Sequence, residues 1–167
     1  MTLTFYCIMV KYICKKSMGE STILMKNIRS LSINDTFSCG FQLGACAKPG
    51  AVYTLSGPLG AGKTVFAQGF AAGLGCDERI TSPTFTIVNV HETGRLPLYH
   101  FDLYRLDAEG LESTGYEEYI YGRGVCLIEW PERADGLLHE DAVHIEIRLC
   151  DDNEMYREIT IHENPCD

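Results

Sequence analysis

A chain of 167 residues has room for one packed core and none for a second catalytic domain. Its 46% apolar and 22% charged residues exclude a disordered chain. A formal net charge of -9 argues against a protein that neutralises the phosphates of bare nucleic acid itself, so any nucleic-acid role runs through a basic partner.

The opening run FYCIMVKYICKK is apolar and basic, but Lys11 interrupts it and no small-residue cleavage site follows, which argues against a signal peptide. It also falls short of the roughly 20 apolar residues that a membrane span needs. Residues 1–26 are therefore expected to be a disordered extension or a mis-assigned start, with Met18 or Met25 as the biological start and 27–167 as the single domain. The N-terminal mass of the native protein decides this.

From Phe37 to Ala47, FSCGFQLGACA has a helical spacing of apolar residues, weakened by Gly40 and Gly44 and stopped by Lys48, Pro49 and Gly50. AVYTLSG is a short apolar run bounded by glycines, the pattern of a strand buried on both faces. A helix must follow the next loop, since Val65, Phe66, Phe70 and Leu74 share one face and Gly75 sits where a C-cap is wanted. FTIVNV and LPLYHFDLY read as a hairpin around HETGR. EGLESTGYEEYI reads as one helix or two short ones, and GVCLIEW as another buried strand. AVHIEIRL and YREITIH alternate around CDDNE, an antiparallel pair with one wet face. The sum is an α/β fold: a P-loop NTPase-like three-layer domain with a mixed, mainly parallel sheet plus antiparallel hairpins. Eight cysteines are scattered without a Cys-x-x-Cys pair, and Cys126 sits in an apolar run where a thiol packs as a small hydrophobe. This usage points to a reducing cytoplasm and away from zinc.

Gly57, Pro58, Leu59, Gly60, Ala61, Gly62, Lys63 and Thr64 fit G-x-x-x-x-G-K-[ST] completely. The glycines let backbone N–H groups turn inward around a phosphate, and the following helix, with Val65 in its first turn, adds its positive end. Lys63 is expected to reach the β and γ phosphates, and the Thr64 hydroxyl to ligate magnesium. The motif alone also fits a glycine-rich turn that merely caps a structural helix.

A P-loop needs a further acid at a neighbouring strand end, to hold magnesium or to orient the attacking water. Asp102 and Glu129 both stand at the ends of apolar runs, where an unpaired carboxylate is costly to bury. Each also fits a strand-end acid in water or in a salt bridge. In ITSPTFTIV, Ser82 and Thr84 flank Pro83 and are placed to sense a γ phosphate as a switch; the same residues suit an ordinary turn into a strand.

GPLGAGKT at 57–64, SPTF at 82–85, HFDLYR at 100–105 and IEWPE at 128–132 together resemble the bacterial TsaE (YjeE) family, from about Ser32 to about His162. The resemblance implies a small ATPase that serves TsaD-like and TsaB-like proteins in placing a threonylcarbamoyl group on a tRNA adenosine. It implies contact with tRNA only through that complex, and no membrane. By the same likeness the ligands are ATP and magnesium, with Thr64 and Glu129 holding the metal, and Asp102, Glu129 and Lys63 serving hydrolysis. Trp130, Ser82 and Thr84 would shape the site, Thr36 would lie near the base, and Arg157 in the last hairpin would touch the nucleotide. Two departures stand out. Pro58 occupies a position where many relatives carry an acidic or amide residue, which removes one loop N–H, and Gln68 stands where relatives often have a basic residue, which would weaken a contact to a partner or tRNA.

A stand-alone small-molecule or nucleoside kinase is the alternative, but such enzymes usually need an arginine-rich lid, and no arginine cluster follows the sheet. A GTPase would want Asn-Lys-x-Asp or Thr-Lys-x-Asp, and neither is present, so adenine is favoured. Arg105 and Arg133 are the internal candidates for an arginine finger. Otherwise a partner supplies that group, and hydrolysis by the chain alone is slow.

Overall fold

The computed structural model describes residues 11–13, 24–78, 80–134, 136–138 and 141–163. The expected 1–26 extension lies mostly outside them, and its boundary at residue 27 falls within a strand.

That strand, β2 (Leu24–Ser30), pairs antiparallel along its whole length with β8 (Asn153–Glu163), and the short β1 (Lys11–Ile13) pairs with its other edge. The remaining strands are β3 (Val52–Ser56), β4 (Val88–His91), β5 (Leu98–Asp102), β6 (Val125–Glu129) and β7 (Val143–Cys150). They form one eight-stranded sheet in the order β1-β2-β8-β7-β3-β6-β5-β4. Pairing is parallel among the central strands β7, β3, β6 and β5, and antiparallel on both flanks. The two expected hairpins are thus β4–β5 and β7–β8, and every residue of β6 is buried.

α1 (Ile33–Cys46) and α2 (Lys63–Gly73) cover one face. α1 begins before the expected Phe37 because Ser32 caps it: the Ser32 hydroxyl accepts from Asp35 N–H, and the Asp35 carboxylate accepts from Leu31 N–H. Its C-terminus has no basic residue of its own, and Arg95, from the β4–β5 turn, donates to the carbonyls of Gly44, Ala45 and Ala47. The expected glycine, Gly75, follows the Leu74 C-cap of α2, and its φ of +83° suits glycine.

Gly40 and Gly44, which weaken α1 as a helix, form its contact with α2. A Cβ on Gly40 would lie 2.2 Å from the Phe66 carbonyl oxygen, and one on Gly44 2.0 Å from that of Phe70. Gly69 and Gly73 face back in the same way, toward the carbonyls of Phe37 and Phe41. The opposite sheet face is covered by α3 (Ala108–Glu112), α4 (Glu117–Ile120) and the chain after β6, which gives the third layer. Cys126 packs there, and burial pushes its thiol up to about 12. Among the described residues, no helix is long and apolar enough to cross a membrane.

Candidate functional site

β3 delivers the chain to the glycine loop, and α2 leaves it. Gly57, Gly60 and Gly62 have φ of +139°, +80° and +105°, which other residues rarely adopt. The loop also presses on β7: a Cβ at Gly57 would stand 2.2 Å from the Ile147 carbonyl oxygen, whereas one at Gly60 would meet nothing within 4 Å. The loop is therefore tight against β7 at Gly57 and open at exposed Gly60. Pro58, Leu59 and Gly60 are exposed, and Ala61 N–H donates to Pro58 O at 3.1 Å.

Lys63 is buried at the start of α2. Its ammonium donates to the carbonyls of Gly57 (2.7 Å) and Pro58 (3.1 Å) and lies 3.9 Å from the centroid of the Trp130 ring. Burial lowers its pKa below that of an ordinary lysine, against the opposing pull of Glu129 and Asp102. Thr64 follows, half-buried, in the same helical turn.

Glu129 ends β6 and is the register partner of Leu55 on the P-loop strand; Asp102 ends β5 and is the register partner of Glu129. Two carboxylates thus stand side by side at the carboxyl edge of the parallel strands, both buried. Asp102 Oδ2 accepts from the hydroxyls of Ser82 and Thr84, each at 2.6 Å, and Oδ1 accepts from Tyr104 N–H at 3.0 Å. Burial raises the Asp102 pKa, but these donors outweigh it and hold the carboxyl below its ordinary value. Glu129 Oε1 is bonded to His100 Nε2 at 2.9 Å.

Ile87 (φ +70°) and Trp130 (φ +60°) are the non-glycine residues with positive φ among those described, and both adjoin this acid pair. The Ile87 carbonyl accepts from Asp102 N–H, and Trp130 follows Glu129 directly. A β-branched or pre-proline residue held in this region stores of order 1–3 kcal/mol, as functional sites often do.

A cleft of about 240 Å³ opens beside the loop, lined by Ile33, Thr36, Gly62, Val65, Met155 and Arg157 among others. Thr36 is bonded to buried Ser30 (2.7 Å). Arg157 lines the cleft and also grips the loop, with Nε donating to Ala61 O (2.7 Å) and Nη2 to Gly60 O (3.2 Å). Gln68 donates to Ile80 O (3.1 Å), so its amide ties α2 to the chain leading into the Ser-Pro-Thr loop. Arg105 stacks on exposed Phe85 (4.4 Å), and Arg133 sits in an exposed 3-10 turn.

The candidate residues therefore gather in two adjoining places. Lys63, Thr64, Asp102, Glu129, Ser82, Thr84 and Trp130 surround the loop mouth, while Thr36, Val65 and Arg157 line the cleft. Hydroxyl and carboxylate oxygens beside a glycine loop suit a hard divalent cation carrying phosphates better than a softer metal. Sequence reasoning missed His100, Ile33 and Met155. His100 was signalled only by strand alternation, two residues before Asp102 on the same face.

The family model described as "Threonylcarbamoyl adenosine biosynthesis protein TsaE" matches residues 30–159. The "tRNA threonylcarbamoyladenosine biosynthesis protein TsaE" of Bacillus subtilis is 45% identical over 138 residues, covering 81% of this chain and 85% of the relative. Its namesake from Treponema pallidum is 47% identical over 133 residues, 79% of this chain and 96% of the relative. The crystal structure of Bacillus subtilis YdiB superposes with a TM-score of 0.75 at 38% identity, covering 87% of this chain and 90% of that one.

Proposed function

The chain belongs to the TsaE family, and on that premise we propose that it binds and hydrolyses magnesium-ATP as the ATPase subunit of the machinery that makes threonylcarbamoyladenosine in tRNA. The observation that carries this reading is the buried pair Asp102 and Glu129, in register at adjacent strand ends and coupled electrostatically to the P-loop Lys63.

The loop N–H groups and the α2 N-terminus receive the phosphates, and Lys63 leaves its own loop carbonyls to neutralise them. Thr64 and Glu129 would hold magnesium, since Glu129 stands on the strand next to β3. Held by those residues, a cation would offset the charge that builds on the phosphate oxygens. Asp102, one strand further out and tied to Ser82 and Thr84, orients the attacking water. The water oxygen bonds to the γ phosphorus as the bond to the β–γ bridging oxygen breaks, and the water's proton leaves to the carboxylate or to phosphate. Thr36 and Val65, in the cleft beside the loop, face the adenosine.

Arg105 stacks on exposed Phe85 and Arg133 is exposed, so neither is held in the site, and on this reading a partner supplies the completing arginine. The partners are TsaD-like and TsaB-like proteins, and the acidic chain reaches tRNA only through them.

Phosphate release from ATP tests the reading. We expect slow turnover by the chain alone, faster turnover with a TsaD–TsaB complex, none from Lys63→Ala, and recovery of both partners in a pull-down. Turnover unchanged by those partners, or efficient transfer of the γ phosphate to a nucleoside acceptor as in a small-molecule kinase, overturns it.

A further inference from the structure

We infer that His100 is a positioning residue that fixes Glu129 for the cation, an inference that rests on the assignment of Glu129 to magnesium. His100 lies in the middle of β5 and is fully buried; Glu129, at the end of β6, is buried nearly as completely. Strand alternation puts Leu98, His100 and Asp102 on one face of β5, and Val125, Leu127 and Glu129 on the same face of β6. The imidazole thus sits one step back from the acid pair, behind the reacting centre.

Its geometry fixes what it can do. A carboxylate oxygen only accepts, so His100 Nε2 carries the proton of the 2.9 Å bond to Glu129 Oε1. The other ring nitrogen, Nδ1, is buried with no hydrogen-bond partner among the described residues. An imidazole kept in the interior with one nitrogen unsatisfied is a poor packing choice, because leucine would fill similar space without burying a bare polar atom. What the ring adds over leucine is one donor, aimed at one oxygen of Glu129.

A carboxylate bonded through Oε1 alone keeps Oε2 as the acceptor for a cation or for a water on it. Holding one oxygen fixes the rotamer of the other, which is how partners behind a ligand raise metal affinity. Without the donor, Glu129 would be free to turn toward Lys63, whose charge already couples to it. His100 is fully buried and its hydrogen bond is to Glu129, so it acts on bound ligands only through that carboxylate. Its effect is therefore confined to magnesium-dependent behaviour.

Calorimetric titration of ADP, in EDTA and across a magnesium series, tests this with His100→Leu, His100→Gln, Glu129→Gln and the double variant H100L/E129Q. We expect His100→Leu to raise the magnesium concentration for half-maximal enhancement about tenfold, with magnesium-free ADP affinity unchanged. His100→Gln, whose amide N–H occupies the place of Nε2–H, should recover most of that loss. In the Glu129→Gln background His100→Leu should add little, since the carboxylate that the imidazole holds for the cation is gone even though the amide oxygen can still accept. If His100→Leu does not fold, His100→Asn, too short to reach Oε1, takes its place. Wild-type magnesium dependence in His100→Leu alongside an impaired Glu129→Gln overturns the inference alone, as does a His100→Gln no better than His100→Leu. Wild-type magnesium dependence in Glu129→Gln overturns the assignment of Glu129 to the cation, and this inference with it.

Discussion

The Lys63 ammonium lies 3.9 Å from the centroid of the Trp130 ring while it donates to the carbonyls of Gly57 and Pro58. The P-loop lysine is thus held by its own loop and by an indole face, a contact of about 1–2 kcal/mol when partly desolvated. On the proposed function, an incoming phosphate would compete for the same ammonium. Trp130 is the chain's only tryptophan, so its fluorescence reports the exchange without background. Nucleotide should change that emission in the wild type and leave Lys63→Ala unchanged, as read by titration with ADP. Equal changes in both proteins would mean that the indole senses something other than the departure of Lys63.

Asp102 offers a pH test. Its carboxyl is held below the ordinary value despite burial, by Ser82, Thr84 and Tyr104. A group with a depressed folded-state pKa contributes stability that is present above its unfolded pKa and is lost as pH falls through the folded one. The variant Ser82→Ala with Thr84→Val removes two of the three donors. It should cost about 2–4 kcal/mol at neutral pH, since bonds to a charged group count most. The deficit should shrink below about pH 4, as the carboxyl protonates in both states. Urea unfolding at several pH values measures it, and a deficit that does not change with pH would show that the hydroxyls act by packing alone.

The central strands were legible because a strand buried on both faces writes a continuous apolar run, as AVYTLSG and GVCLIEW do. The glycine loop was legible from its residue spacing and the two acids from their places at the ends of apolar runs, and the structure sets those acids side by side in register. What stayed hidden depends on partners distant in sequence. β2 is a strand because β8 lies alongside it, and the helix-capping role of Arg95 exists only once the β4–β5 turn meets the end of α1. The bond from His100 to Glu129 spans 29 positions, and neither residue type announces the other. Nor does composition signal the strain at Ile87, which arises where the Ser-Pro-Thr loop is drawn onto Asp102.

The glycines of α1 and α2 show the same limit and carry a prediction. Helix propensity alone makes Gly44→Ala and Gly73→Ala stabilising by about 1 kcal/mol each. Their Cβ atoms would stand 2.0 Å and 2.1 Å from the carbonyl oxygens of the facing helix, so the helices must separate. Overpacking of this kind costs about 1–3 kcal/mol or more, which outweighs the gain. Each variant should therefore lower the urea midpoint. A raised midpoint would show that α1 and α2 do not approach this closely.

Arg157, which the resemblance implies touches the nucleotide, also holds the loop through its backbone carbonyls. Its guanidinium spreads over four carbonyls, with Nε on Ala61, Nη2 on Gly60, and Nη1 on Glu154 and Tyr156. This fork ties β8 to the glycine loop, and a lysine has only one ammonium to place. If bracing is what matters, Arg157→Lys should bind ADP about as poorly as Arg157→Ala, both roughly tenfold weaker than wild type, or about 1.4 kcal/mol. If the positive charge alone attracts the phosphates, Arg157→Lys should keep nearly full affinity. Calorimetric titration of the two variants distinguishes these outcomes, and the four-carbonyl geometry favours the first.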